Sequence, residues 1–484
     1  MFWQIIQSWP SITVAILVMY WIAVTVVVIT DEREPTETLA WLLVLFAFPG
    51  VGLLFYFLFG RNWKKIAQRS AWMKDIFALA RPTMDRVWGQ YSATENALLE
   101  WAEPRGYAPI IKTALAADTT HVMPAYDVTI LKDGKALYDT LKTDLRNAKD
   151  TINFQVFIWE RDKLTAELTA ILSERAQAGV EVRLLTDYVG CMAYKKDEIK
   201  QMQAAGVKFH ADLPDWRKIN YMDHRKIIVI DSVIGYVGGL NVGQEYIDGQ
   251  PHYQSWRDTH SKFHGPAVAD LQKLFAARWH ENSKESLFNE RFFPKEYPSD
   301  GVMVPAITVA QAVELLWDPA RRVHEAAMAA ARERIWIQSP YFIPTPDIYE
   351  IMVNQALAGK DVRLMITGVP DKNLPWRAAH SFFHKFLLAG GKIYMYEPGF
   401  FHGKTITIDG EMCAIGTMNM DIRSLALHKE VMTWYFSKDI ATQHDAIFEE
   451  DMSKSSQVTL ETVANWPASF KLRNSVSRLM SNLM

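Results

Sequence analysis

The amino-acid sequence predicts an α/β protein: two tandem α/β sandwich domains with pseudo-two-fold symmetry, preceded by a two-helix transmembrane hairpin. Two uncharged apolar runs open the chain. A block of polar residues beginning at His224 returns at His402 with the same internal spacing. Strand-like and helix-like segments alternate around both blocks. Repetition with β-α-β alternation is the mark of stacked α/β units. At 484 residues the chain accommodates two or three domains, and 49% hydrophobic with 22% charged residues excludes wholesale disorder. The net charge is -3. Residues 1–60 hold Asp31, Glu32, Glu34, Glu37 and a single base, Arg33, so the remainder is neutral. That balance argues against a dedicated nucleic-acid binder. Cys191 and Cys413 form no disulfide framework and have no metal-spaced partner, so they read as structural thiols.

Ile12 to Ile29 and Leu39 to Phe59 carry no charge. Each is long enough to cross a bilayer as a helix, which takes ~20 apolar residues. The acidic connection Asp31–Glu37 contains the helix-stopping Pro35, which makes residues 1–60 a hairpin. The absence of a basic leading region and the second apolar run argue against a cleaved signal peptide. Arg33 stands alone in the connection, whereas Arg61, Lys64, Lys65, Arg69 and Lys74 follow the second run. The positive-inside rule therefore places both ends, and everything after residue 60, in the cytoplasm. Pro49, Gly50 and Gly52 are expected to kink the second span or to let it pack closely.

Residues 61–115 read as interfacial or linker helices. Trp63, Ile66, Ser70, Met73 and Phe77 recur at helical steps with basic residues between them. Residues 116–285 and 306–465 hold the two repeats, joined by a linker over 286–305 that includes Pro294 and Pro298. In the first repeat, Lys135–Ala148 and Leu164–Ala178 are helical, and Thr151–Ile158 and Val180–Leu185 are strands. In the second, His324–Arg334 and Ile348–Ala358 are helical, and Ile335–Gln338 and Val362–Ile366 are strands. Residues 466–484 form an amphipathic tail. Leu472, Val476, Leu479, Met480 and Leu483 share one face of it, and no acid follows residue 470.

The repeated block carries the chemistry. His224, Lys226, Asp231 and Asn241 match His402, Lys404, Asp409 and Asn419 in type and spacing. Read as a strand, each block places histidine and lysine on one face and the aspartate, seven residues on, on the other. Asp231 and Asp409 are therefore poor candidates for touching the imidazoles. Packing the halves together assembles two histidines, two lysines and two amides. The lysines and amides make a pocket for a phosphodiester, and the histidines supply a nucleophile and a general acid/base. No metal and no other cofactor is required, because the lysines take the electrostatic role. His380 and His384, four apart on a helical stretch, lack a third ligand at convincing spacing and read as helix-surface histidines.

These residues resemble the paired HKD motifs of the phospholipase D superfamily. With the hairpin and Pro340-Tyr341-Phe342, the chain resembles its bacterial cardiolipin synthases. The resemblance implies phospholipase D-type sandwiches in the bacterial cytoplasmic membrane. It implies catalytic roles for His224, Lys226, Asp231, His402, Lys404 and Asp409, and substrate-binding roles for Asn241, Asn419 and Thr417. It also implies that Asp258 and Glu430 orient the imidazoles. Where the family usually has serine after the motif glycine, this chain has Gly239 and Thr417, and Gly239 offers no hydroxyl. The implied reaction is phosphatidyl transfer between two phosphatidylglycerol molecules through a phosphatidyl-histidine, with His224 as nucleophile. The alternatives keep the site and change the donor or acceptor to phosphatidylethanolamine or water, or make the chain a nucleic-acid phosphodiesterase or a non-enzymatic scaffold. Neutral charge and the hairpin disfavour the phosphodiesterase; two intact motifs disfavour the scaffold.

Overall fold

A computed structural model describes residues 2–31, 35–60, 71–118, 120–192, 196–212, 221–251 and 253–480. It divides into two compact units, the first essentially residues 1–69 and the second the rest of the chain.

In the first unit, Phe2–Thr30 is one continuous helix. Its stretch Thr13–Thr30 is long and apolar enough to cross a membrane. The second apolar run is interrupted: Pro35–Ala47 ends before Gly50, whose φ of 88° an L side chain rarely adopts. The chain then resumes as Val51–Phe55 and a π-helical turn Tyr56–Gly60. The expected kink is therefore a break, and among the described residues one helix rather than two meets the length criterion for a crossing. The segments pack through Val24, Val28, Leu45 and Tyr56, and Tyr56 donates to Asp31 at 2.5 Å. Ile16, Met19, Ile22, Val26 and Ile29 are exposed.

The second unit is built on one sheet. Its first half contributes β1 (Met123–Leu131), β2 (Thr151–Val156), β3 (Glu181–Asp187), β4 (Lys208–Asp212), β5 (Ile227–Ile230), β6 (Ile234–Gly238), a short β7 (Trp256–Arg257) and β8 (His260–His264). The second half contributes β9 (Met303–Gln311), β10 (Arg334–Gln338), a short β11 (Phe342–Ile343), β12 (Asp361–Thr367), β13 (Lys392–Tyr396), a short β14 (Phe400–Phe401), β15 (Thr405–Ile408), β16 (Met412–Gly416), a short β17 (Met420–Asp421), β18 (Glu430–Tyr435) and β19 (Ser455–Val458). Fifteen of these strands run in the order β4-β3-β2-β5-β6-β8-β1-β9-β18-β16-β15-β10-β12-β13-β19. Outward from the central antiparallel pair β1–β9, both halves follow the same order. In each half the parallel strands β2-β3-β4 and β10-β12-β13 adjoin antiparallel hairpins, β5-β6 and β15-β16.

Helices cover both faces, which is why β2, β5 and β15 are buried throughout, and β5 reads as a continuous apolar run. Gly134–Asn147 and Lys163–Gln177 each start at an aspartate, Asp133 and Asp162, that accepts from a backbone amide three residues on. Val268–Ser283 packs into the core with Met123, Val229 and Phe263, and its Phe275, Ala276 and Trp279 are buried. The helix expected at His324–Arg334 instead spans Pro319–Ala330. Proline suits its first turn, and the amides of 332–334 are captured by Asp409 rather than continuing the helix.

Two connecting segments differ from a loose tether. Residues 61–70, with Trp63, Ile66 and Ser70, lie outside the described residues, as does the side chain of Met73. Ala71–Gly89 is a helix whose Ile76, Ala80, Met84 and Val87 are buried, leaving Phe77 exposed. The segment after Glu285 is packed too: Leu287, Phe292, Phe293 and Tyr297 enter the core. Arg86 ties the two together by donating to Phe293 O at 2.6 Å.

The C-terminal helix Ala468–Leu479 seats its polar side inward. Asn474 and Ser477 are buried, while Leu479 is 86% exposed, with Leu472 and Val476 also outward. Leu483 lies outside the described residues. Trp466 and Phe470 pack on His380. His380 is buried, not on the helix surface, and its Nδ1 bonds Trp376 O at 2.7 Å.

Buried histidines make the fold sensitive to acid. Burial pushes His324 and His380 down to about 4 and His444 to about 3. An unfolded histidine titrates near ~6.5. Between about 6.5 and 4 the unfolded chain therefore binds protons that the folded chain refuses, and stability falls with pH by up to about 1.4 kcal/mol per unit per histidine. We expect the melting temperature to drop markedly from pH 7 to pH 5. An unchanged melting temperature would contradict neutral burial of these rings.

Candidate active site

Each motif strand starts only after its lysine. His224 and Lys226 precede β5, and His402 and Lys404 precede β15. What holds the histidines is pairing between the halves. His224 N donates to Lys429 O at 2.9 Å, and Lys429 N donates to Met222 O at 2.9 Å. In the other copy β14 pairs in parallel with β7, and His402 N donates to Arg257 O at 2.7 Å. Each histidine is thus pinned beside the segment that carries the other half's acid, Glu430 at the start of β18 and Asp258 just after β7.

The acids follow. His402 Nδ1 lies 2.6 Å from Asp258 Oδ2, and His224 Nδ1 lies 3.1 Å from both oxygens of Glu430. Both carboxylates are fully buried. With Nδ1–H donating to a carboxylate, Nε2 keeps its lone pair for chemistry. Lys226 and Lys404 are buried, and each donates to its own histidine's carbonyl, at 2.6 and 2.5 Å. Each lysine also acts electrostatically on the histidine of the other motif.

Burial dominates the electrostatics. It drives His224 well below its ordinary value and His402 down to about 4, with the lysines adding to the effect. It pushes Lys226 down to about 7 and Lys404 to about 8, against opposition from the carboxylates. The two acids diverge. Burial raises both, but Lys404 and His402 outweigh it at Asp258, which ends below its usual range, whereas Glu430 ends above. A lysine near 7 is charged below that pH and neutral above it. We expect KM for an anionic phosphodiester to rise from about pH 7 to about pH 9 as the pocket loses charge. A flat KM over that range would contradict the assignment.

Asp231 and Asp409 lie beyond the far ends of β5 and β15 and touch neither imidazole. Asp231 accepts from the amides of Lys149, Asp150 and Thr151; Asp409 accepts from those of Arg332, Glu333 and Arg334, and from the Tyr107 hydroxyl at 2.6 Å. Both occupy left-handed backbone, with φ of 52° and 54°. Asp409→Asn should therefore lower stability by about 1.5–3 kcal/mol while the folded fraction keeps its turnover. Denaturant titration alongside activity per folded molecule separates the two.

The amides are less free than the sequence suggests. Asn241 Oδ1 accepts from Ile158 N at 3.2 Å, bracing the loop after β2. Asn419 is buried, and its Oδ1 has no partner among the described residues. Thr417 Oγ1 accepts from Val431 N at 3.0 Å. A side chain at Gly239 would strike the Asp258 carboxylate, so glycine there leaves room for the acid that holds His402.

Two residues are not legible as site residues in the sequence. His260 is buried, and its Nδ1 accepts from Leu240 N at 3.3 Å, which sets the turn leading to Asn241. Its place at the start of β8 carries no chemical signal. His428 lies with its ring 6.2 Å from that of His224 and its Nδ1 3.8 Å from Glu430. The matching position in the other copy is Trp256, whose ring packs 5.2 Å from His402. The spacing His428-Lys-Glu430 against Trp256-Arg-Asp258 is the one clue to it along the chain.

The family model described as cardiolipin synthase, PLD-like domain matches residues 141–279 and 325–452, and a phospholipase D-nuclease N-terminal model matches residues 19–61. A cardiolipin synthase from Alkalihalophilus pseudofirmus is 33% identical, over 99% of this chain and 95% of its own length. One from a Geobacillus species is 35% identical over 95% of this chain and 91% of its own. Among solved structures, phosphatidylserine synthase from Haemophilus influenzae superposes with a TM-score of 0.61 at 13% identity, over 78% of this chain and all of that one, which shows a shared fold. The two HKD-bearing sandwiches and the match to curated relatives over nearly the full length place this chain in the cardiolipin synthase family of phospholipase D-like proteins.

Proposed function

We propose that the protein transfers a phosphatidyl group between two phosphatidylglycerol molecules, releasing cardiolipin and glycerol. The observation that carries this reading is the pair of imidazoles braced by buried carboxylates beside two buried lysines, in a chain whose relatives are cardiolipin synthases. An approximate two-fold relation between residues 116–285 and 306–465 brings the motifs together, in accord with the matching strand orders.

His224 is the nucleophile. Its deep depression and its partner's drift toward the neutral form favour an unprotonated imidazole. His402 is the general acid in its imidazolium form, protonated at both ring nitrogens, a form that the ionised Asp258 stabilises. His224 Nε2 forms a bond to phosphorus. The phosphorus–oxygen bond to glycerol breaks, and His402 gives that oxygen its proton. His402 then removes the proton from the terminal hydroxyl of a second phosphatidylglycerol. The new phosphorus–oxygen bond forms, the nitrogen–phosphorus bond breaks, and both histidines return to their first state. Lys226 and Lys404 offset the charge on the non-bridging oxygens, with the Asn419 amide and Thr417 beside them. Asp231 and Asp409 act by holding the motif hairpins. A membrane hairpin over residues 1–60, with the sandwiches on the cytoplasmic side of a bacterial membrane, keeps the site on its lipid substrate.

Purified enzyme on phosphatidylglycerol vesicles, with products identified by mass spectrometry, tests the proposal. Cardiolipin with equimolar glycerol is expected. Phosphatidic acid as the sole product would make water the acceptor; activity only with added phosphatidylethanolamine would change the donor. The outward apolar face of the C-terminal helix, with Lys471, Arg473 and Arg478, suits an anionic bilayer. Val476→Asp with Leu479→Asp should weaken vesicle binding and turnover. Wild-type rates across salt concentrations would exclude that contact.

A further inference from the structure

A cavity of about 370 Å³ opens beside the helix Ala71–Gly89, outside the histidine pocket. Its lining is mixed, with an apolar part made by Ile76, Ala80 and Met84 from that helix, Leu274 and Ala277 from Val268–Ser283, and Leu315 beyond β9. Its polar lining includes Arg225 and Lys429, and these two adjoin the site. Arg225 follows His224, and Lys429 provides the backbone to which His224 is bonded. One backbone bridge therefore separates the cavity from the imidazole proposed as nucleophile.

The charges at the cavity are matched internally. Arg225 binds Asp223 through Nε at 2.9 Å and Nη2 at 2.5 Å, and Lys429 binds Glu314 at 2.8 Å. Arg81 lies 3.4 Å from Asp85, Lys273 3.7 Å from Asp270 and Arg278 3.2 Å from Asp223, and Asp118 accepts from Ala310 N at 2.8 Å. An anion would gain little there, and what remains to recognise is hydrocarbon. Phe77, in the lining, is 40% exposed, and Leu316 and Trp317, the two residues after the lining residue Leu315, are 62% and 55% exposed. Large side chains of this kind in water mark a contact surface. The volume lies in the range of about 300–1,000 Å³ typical of small-ligand sites. The corresponding place in the second copy is arranged differently. Gly403 stands where Arg225 does, and Arg257, the counterpart of Lys429, is buried on Asp451 at 3.0 Å and over the Phe401 ring.

We infer that this cavity receives one acyl chain of the donor phospholipid, entering past Phe77 and Trp317 and bringing its phosphorus to His224. The inference rests on the phosphatidyl transfer proposed above. It also explains why a lipid donor would be taken up on the His224 side, where the cavity lies.

Filling the cavity tests it. Ala277→Phe, on Val268–Ser283, and Ala312→Phe, just after β9, add bulk at two lining positions and alter no residue of the site. In the full-length enzyme, kcat/KM on dioleoyl-phosphatidylglycerol should fall at least about tenfold, while dihexanoyl-phosphatidylglycerol turns over within about twofold of wild type. A phosphatidylglycerol carrying a diazirine in its acyl chain should label Ala71–Gly89 or Val268–Ser283 in the wild-type enzyme, with competition by unlabelled lipid. The labelling needs no variant to fold. Equal loss on both lipids by folded variants, no loss on either, or labelling confined to other segments overturns the inference. Failure of the wild type to convert any phosphatidylglycerol would overturn the transfer reaction instead.

Discussion

Alanine at either His224 or His402 is expected to lower cardiolipin formation by at least about 10³-fold. Each imidazole has its Nδ1 occupied by a buried acid and its Nε2 left for reaction. The nucleophile cannot be bypassed, because attack on phosphorus and departure of the alcohol are separate bond changes that need separate groups. Two residues acting as a unit give effects far from additive, so the double variant should be scarcely worse than either single one. The singles differ in what they trap. His402→Ala retains the nucleophile and should accumulate labelled phosphatidyl group on protein under a detergent quench at neutral pH, which spares the acid-labile phosphorus–nitrogen bond; His224→Ala should not. Label on His224→Ala but not on His402→Ala would exchange the roles, and near-normal rates in either variant would refute the two-histidine scheme.

Asp258→Asn should cost about 10²–10⁴ in kcat, by analogy with the loss seen when a carboxylate that holds a catalytic histidine becomes an amide. Asp258 is fully buried, bonded to His402 at 2.6 Å, and kept ionised by Lys404 and His402. Asparagine keeps the shape, removes the charge that stabilises the imidazolium, and can present an N–H that reverses the tautomer. Glu430→Gln should cost less, because burial already raises Glu430 toward its neutral form and Ser424 donates to it at 2.9 Å. The pH profile separates positioning from folding. Loss of the ionised Asp258 should move the limb due to His402 to lower pH, whereas a merely destabilised fold would lower the plateau without moving it. Equal losses at the two acids with unmoved profiles would contradict the division of roles.

Much of the site is legible in the residue order alone. Motif spacing singles out His224, Lys226, His402 and Lys404. Asp231 and Asp409 sit on backbone amides beyond the far strand ends, so distance along the strand, and not the expected parity, keeps them from the imidazoles, because each strand begins only after its lysine. Helix positions in the repeats are mostly legible to within a residue or two because apolar periodicity is local. The exception, Pro319–Ala330, is displaced by a contact from Asp409, distant in sequence. The second apolar run looks continuous because composition counts residues, whereas its break depends on the backbone angle at Gly50.

By itself, the sequence determined that this chain is a duplicated α/β protein with an apolar N-terminal segment and two copies of one phosphate-handling motif. Those are properties of residue type, spacing and repetition. The tertiary structure decided which acid serves which histidine. Asp258 reaches His402 and Glu430 reaches His224, each across the junction of the halves, 144 and 206 residues away. It also decided that Gly239 makes room for a carboxylate, that the tail turns its leucines outward, and that a cavity adjoins the backbone of His224. The physical reason is the same in each case. Burial, charge coupling and van der Waals exclusion act between atoms close in space, and spacing along the chain carries no record of them until the two halves have packed.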